Sequence, residues 1–272
     1  MALTIKHTRE LIDPAKLRLK ILIYGLPGTG KTTFMSTAPD LGAGICETGY
    51  GRGSLSAAAK DYEYVELNSY ADLDSFCSSA VFKEKNSVGL DSLSWATRTI
   101  IKDKALSIPR QKGESQKRQL GIPELDDYGT IGELTRKLVN KLLQTDQHLI
   151  VTSGLRIDKP DPENGQGEML VGPDLAGQMF LGSTAMFDLV LCTRTRSVLR
   201  DPKDAKSRYT QYIYLTNSSG NGIIAKNRLT IDGPPFLPQE VVFNKDTGEG
   251  DFNWILKRAQ DAYSNFLAKK AS

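Results

Sequence analysis

Residues 20–33 read Lys20-Ile21-Leu22-Ile23-Tyr24-Gly25-Leu26-Pro27-Gly28-Thr29-Gly30-Lys31-Thr32-Thr33. Ile21 to Tyr24 form a short apolar run, the pattern of a buried strand. Gly25 opens a loop that Gly30, Lys31 and Thr32 close. This is the G-x-x-x-x-G-K-[ST] spacing of a phosphate loop, set between an expected strand and an expected helix. The residue types follow from the physics. Gly25, Gly28 and Gly30, with Pro27 and Thr29 between them, let successive backbone N–H groups turn towards a phosphate. The helix N-terminus adds partial positive charge. Lys31 is expected to reach the β- and γ-phosphates of ATP, and Thr32 to place its hydroxyl on Mg²⁺, with Thr33 beside it.

Composition narrows the classes around this motif. The chain has 272 residues, 39% hydrophobic and 25% charged, which describes an ordinary α/β protein of one large domain. A net charge of +3 permits a nucleic-acid partner without demanding one. Cys46, Cys77 and Cys192 are scattered with no C-x-x-C pair. They fit a reducing, cytoplasmic compartment better than a disulfide framework or a zinc site. His7 and His148 are too few for a metal centre of their own. No stretch approaches ~20 apolar residues, so no transmembrane helix and no membrane partner is expected. The first residues lack the apolar core of a signal peptide.

Along the chain, strands are expected at 20–24, 42–46, 62–67, 87–91, 149–153, 187–192 and 209–215, with a last short one from Ile223-Ile224. Helices are expected at 31–38, 71–82, 92–106, 124–144 and 251–269. Residues 102–118 carry Lys102, Lys104, Arg110, Lys112, Lys117 and Arg118 around Pro109 and Gly113, and most of this stretch reads as a loop. Residues 156–174 read as an excursion or long hairpin. Alternating β and α elements imply a mostly parallel sheet flanked by helices, with antiparallel strands added at one edge. Residues 1–250 are expected to form the core, with 1–19 as a lead-in and 251–272 as a C-terminal amphipathic helix.

Two acids stand where phosphate-loop chemistry needs them. Asp91 ends the strand 87–91 and suits the water shell of Mg²⁺, although Asp is also a favoured cap for the helix that follows. The next residue is Ser92, not Glu, so a general base must come from elsewhere. Glu47 ends the strand 42–46. In a parallel sheet that strand end shares an edge with the phosphate loop, where a carboxylate could orient water towards the γ-phosphate.

The loop Gly25–Thr32, the strand-end Glu47 and the run Leu90-Asp91-Ser92 together resemble the RecA-type ATPase core. The spelling Gly-Leu-Pro-Gly-Thr-Gly-Lys-Thr is closer to AAA ATPases, and the mixture resembles phage-encoded RecA-like, AAA-family P-loop ATPases, some of which are single-strand annealing recombinases. The resemblance implies a RecA-like P-loop NTPase fold over roughly 18–230, with Mg²⁺ and ATP as cofactors. It implies an oligomer, ring or filament, acting on single-stranded DNA, with a single-strand-binding protein as a candidate partner, in the bacterial host cytoplasm if the protein is phage-encoded. It makes Ser153 or Arg156 the sensor of the γ-phosphate, in place of the family's usual glutamine. It makes Lys226 and Arg228, on one face of a late strand, the cations offered to a neighbour's nucleotide. And it makes Arg110, Lys112, Lys117 and Arg118 the phosphate contacts of a first DNA loop. Two other classes stay open on the sequence: a loader or motor acting on a protein partner, and a monomeric nucleotide-binding kinase.

Overall fold

The structure is a computed structural model and describes residues 13–47, 55–56, 58–78, 82–109, 121–159, 169–175, 179–218, 222–227 and 235–271. Its strands are β1 (Lys20–Gly25), β2 (Leu41–Ile45), β3 (Glu63–Glu66), β4 (Ser87–Asp91), β5 (His148–Ser153), β6 (Leu155–Asp158), β7 (Leu170–Pro173), β8 (Leu189–Leu199), β9 (Arg208–Leu215), β10 (Lys226–Asn227) and β11 (Glu240–Val242). Its helices are α1 (Lys31–Met35), α2 (Tyr70–Ser78), α3 (Leu93–Ala96), α4 (Lys102–Ser107), α5 (Leu125–Leu143), α6 (Met179–Met186) and α7 (Phe252–Ala271).

A nine-stranded sheet runs in the order β11-β9-β8-β1-β5-β4-β2-β3, with β10 beside β8. From β3 to β8 every neighbouring pair is parallel. β9, β10 and β11 join antiparallel at the β8 edge. The expected α/β class and its antiparallel edge are both present. Period-two alternation divides β1 between two cores. Leu22 and Tyr24 pack with α2 to α6, whereas Ile21 and Ile23 pack with Phe34 and Met35 of α1 and with Phe252, Ile255 and Ala259 of α7. Those three α7 residues are fully buried, so the terminal helix covers one face of the sheet.

Several expectations shift. Residues 92–106 form α3 and α4 joined by a π-helical turn, Thr97–Ile101. Lys102 and Lys104 therefore stand on a helix, because Ile101 and Ala105 anchor that turn in the core. Of the two readings of 156–174, the long hairpin agrees with the antiparallel pairing of β6 with β7. The late strand begins at Lys226 and is two residues long. Helix α6 and strand β11 are additions: α6 is apolar nearly all round and has no 3.6-residue stripe to read, and β11 is only three residues long.

His148 supplies a stability prediction. At the start of β5 it is buried, its Nδ1 accepts the Leu19 N–H at 3.1 Å, and Phe252 packs edge-on. Burial, with Arg18 and Lys20 adding to it, pushes its pKa down to about 4. The folded value lies below the unfolded one, so the contribution is intact above about pH 6.5 and is lost as pH falls towards 4. At pH 5 the loss is about 2 kcal/mol. Urea midpoints from pH 7 to pH 4.5 should fall more steeply for the wild type than for His148→Asn. Parallel curves would refute this role.

Candidate nucleotide site at the sheet edge

The loop after β1 is shaped by close approach. A Cβ on Gly25 would stand 2.0 Å from Thr193 Oγ1 of β8, so the strand can end there only as glycine. Gly28 and Gly30 take φ of 76° and 91°, in the left-handed region. A Cβ on Gly30 would also press on the Tyr212 ring at 2.9 Å. Thr29 donates to the Leu26 carbonyl at 2.7 Å and meets the Thr193 hydroxyl at 2.5 Å, pinning the loop to β8. Lys31 folds back over the loop. Its ammonium donates to the carbonyls of Gly25 (3.0 Å) and Leu26 (2.9 Å). Three protons are available, so at least one remains for a phosphate oxygen. Burial lowers the Lys31 pKa, while Asp91 and Glu47 pull it back up.

Beneath the loop, β5 lies between β1 and β4, and this order converges three side chains. Thr32 donates to Asp91 Oδ2 at 2.7 Å, and Thr152 of β5 donates to Asp91 Oδ1 at 2.5 Å. Asp91 is 6% exposed. The cap of α3 is Ser92, whose hydroxyl accepts the Trp95 N–H, so Asp91 is left free of that duty. Glu47 follows β2, the neighbour of β4, and accepts from Ser92 Oγ at 3.4 Å. Burial raises its pKa, the Asp91 charge adds to the rise, and Ser92 and Lys31 oppose it.

The sequence profile of one family, described as an AAA domain, matches residues 17–229. The chain belongs to the AAA domain family. It is therefore an AAA-type P-loop ATPase domain. No curated protein sequence matches it. Among solved structures it is similar to the flagellar accessory protein FlaH of Methanocaldococcus jannaschii, at 11% identity and a TM-score of 0.39 over 83% of this chain and 84% of that one. It is similar to a KaiC-like protein of Pyrococcus horikoshii, at 15% identity and 0.43 over 83% and 85%. It is also similar to a RadB recombinase, at 13% identity and 0.39 over 86% and 90%.

An AAA-type P-loop domain takes a nucleotide with a divalent cation, generally Mg²⁺, and the residues present fit that pair. A threonine hydroxyl and a buried carboxylate are hard oxygen donors, the kind Mg²⁺ accepts beside water and substrate phosphate. Beside Thr33 a cleft of about 780 Å³ runs between α1 and the antiparallel edge, lined by Tyr209, Tyr212, Arg200 and Lys245.

Other expected site residues land elsewhere in this AAA domain. Ser153 is fully buried, and its hydroxyl has no partner among the described residues. Arg156 lies in the β6–β7 hairpin, where it donates to the Leu175 carbonyl and Asp158 and stacks over Phe180. The residue of this segment that touches Asp91 is Thr152. Lys226 donates to the carbonyls of Thr184, Ala185 and Phe187, closing the C-terminal end of α6. Arg110, Lys112, Lys117, Arg118 and Arg228 lie outside the described residues. Sequence reading passed over Thr152, Thr193, Ser94 and Tyr212. A faint signal existed for the two threonines, each a polar residue ending an apolar strand run.

Proposed function

We propose that this chain is a Mg²⁺-dependent, RecA-like ATPase that works as an oligomer on single-stranded DNA, in recombination, annealing or repair. The observation that carries the ATPase part is the convergence at one sheet edge of Lys31, the Thr32–Asp91–Thr152 cluster and Glu47. In this reading Lys31 clamps the phosphates, and Thr32 and Asp91 hold the cation. Bound Mg²⁺ neutralises charge that develops on the phosphates. Glu47 orients water and takes its proton. Thr152 fixes the orientation of Asp91. The cleft beside Thr33 suits the base and sugar, with Tyr209 and Tyr212 as its aromatic walls.

A second cleft, of about 540 Å³, supports the DNA part. Arg98, Lys102 and Arg156 line it with the half-exposed ring of Tyr128. Cations for phosphates and a ring for bases are what a single strand needs. Because Lys226 is engaged within its own chain, Arg228 is the better candidate for a cation acting on a neighbour's nucleotide.

The test is ATP hydrolysis with and without a single-stranded oligonucleotide, over a salt series. We expect hydrolysis that DNA stimulates, with the stimulation weakening as salt rises. No hydrolysis would sink the ATPase reading. Hydrolysis indifferent to DNA would keep it, drop the DNA part and turn the search towards a protein partner.

A further inference from the structure

Behind Glu47 lies a run of hydrogen bonds that the loop chemistry does not use. Ser92 Oγ lies 3.4 Å from Glu47 Oε1 and 3.2 Å from Ser94 Oγ. Ser94 Oγ accepts the Gly154 N–H at 2.9 Å. Ser92 and Ser94 are buried, at 4% and 7% exposure. Counting protons fixes the direction. A hydroxyl carries one proton. Ser92 gives its own to the carboxylate, so its oxygen must accept from Trp95 N–H and from Ser94. Ser94 gives its proton to Ser92 and accepts from Gly154. The order is Gly154 N–H, Ser94, Ser92, Glu47, each member polarising the next.

The far end of the run is anchored at the second cleft. The Asp174 N–H donates to the Gly154 carbonyl at 2.9 Å, and the Asp174 side chain packs where a Cβ on Gly154 would be, 3.2 Å away. The Asp174 carboxylate holds Arg98 at 2.6 Å. Asp174 is largely covered at 12% side-chain exposure, while Arg98 stands open at 67%. Gly154 is thus held at its N–H by Ser94 and at its carbonyl by Asp174, whose carboxylate also pairs with Arg98 at the mouth of the cleft.

We propose that Ser94 is a positioning residue for Glu47, and that it ties the candidate general base to the Arg98–Asp174 pair at the second cleft. This rests on the ATPase reading above. Ser94 touches no reacting atom. It keeps the Ser92 hydroxyl turned towards the carboxylate, and without it that hydroxyl is free to turn to other acceptors. A ligand that engages Arg98 is then felt at Glu47 through Asp174, Gly154, Ser94 and Ser92.

The experiment is steady-state hydrolysis with equilibrium binding of a fluorescent ATP analogue, on the full chain. Ser94→Ala should lower kcat about tenfold, the effect of one lost buried hydrogen bond at the reacting carboxylate, with KM and analogue affinity unchanged. Ser94→Thr, which keeps a hydroxyl, should recover most of kcat. Arg98→Ala removes a mostly exposed side chain and leaves the Asp174 carboxylate without its ion-pair partner, and should lower kcat about threefold with the same split. Wild-type kcat in both alanine variants overturns the proposal. So does a fall in kcat matched by an equal loss of analogue affinity, which marks a merely structural role. A wild-type chain that binds the analogue but hydrolyses no ATP overturns the ATPase reading and this inference with it, whereas a hydrolysing wild type with unaffected variants overturns the inference alone.

Discussion

Alanine in place of Lys31 will lower ATP turnover by about a hundredfold or more and leave the fold standing. The Lys31 ammonium is held over the loop by the Gly25 and Leu26 carbonyls, so it is preorganised where phosphate oxygens would lie. Removing one preorganised donor from a developing negative charge costs ~10²–10³ in kcat. The stability effect is small by comparison. The two carbonyls face an open loop and exchange the ammonium for water, and the hydrophobic contacts of α1 come from Phe34 and Met35, deeper in the core. Arginine will not substitute, because its planar fork does not fit between two carbonyls arranged for a compact ammonium. Turnover and thermal melting of Lys31→Ala and Lys31→Arg check this. Turnover within threefold of wild type in Lys31→Ala would remove the lysine from the chemistry.

What made Lys31 legible is that its partners are its neighbours in sequence. The phosphate loop is contiguous, and its spacing specifies both the glycine conformations and the helix start. Asp91 was legible for a related reason: a short apolar strand ending in an acid declares the sheet edge. Parallel order followed from alternating strands and helices. Contacts set by register were not legible. Thr152 reaches Asp91 because β5 inserts between β1 and β4, and nothing local to Leu149-Ile150-Val151 announces that neighbour. Thr193 reaches Thr29 across β8 in the same way. Lys226 shows a contact of another kind. Strand alternation gives the face on which it lies, but its partners are the last carbonyls of α6, a helix without a periodic stripe to read. Arg156 stands at the start of the stretch read as an excursion or long hairpin, and it lies in β6, whose own acid, Asp158, engages it.

Glu47→Gln separates hydrolysis from binding. Glutamine keeps the carbonyl oxygen that accepts from Ser92 and fills the same volume, but it cannot take a proton from water. Losing a positioned general base costs ~10²–10⁴, so turnover should fall by that factor while ATP affinity is retained. The pH profile carries the same logic. The base works as a carboxylate, and burial together with Asp91 raises its pKa above the ordinary glutamate value. Wild-type turnover should therefore decline on acidification at a higher pH than an ordinary glutamate would give, and the residual turnover of Glu47→Gln should lack that limb. Asp91 is a poor substitute for the role. Both its oxygens already accept threonine hydroxyls, one from the helix that opens at the loop and one from β5. A Glu47→Gln variant that hydrolyses ATP within fivefold of wild type would mean that water is activated from outside this chain, by a neighbouring subunit or a partner. Under the proposed function, an oligomer would then supply the base itself and not only a cation.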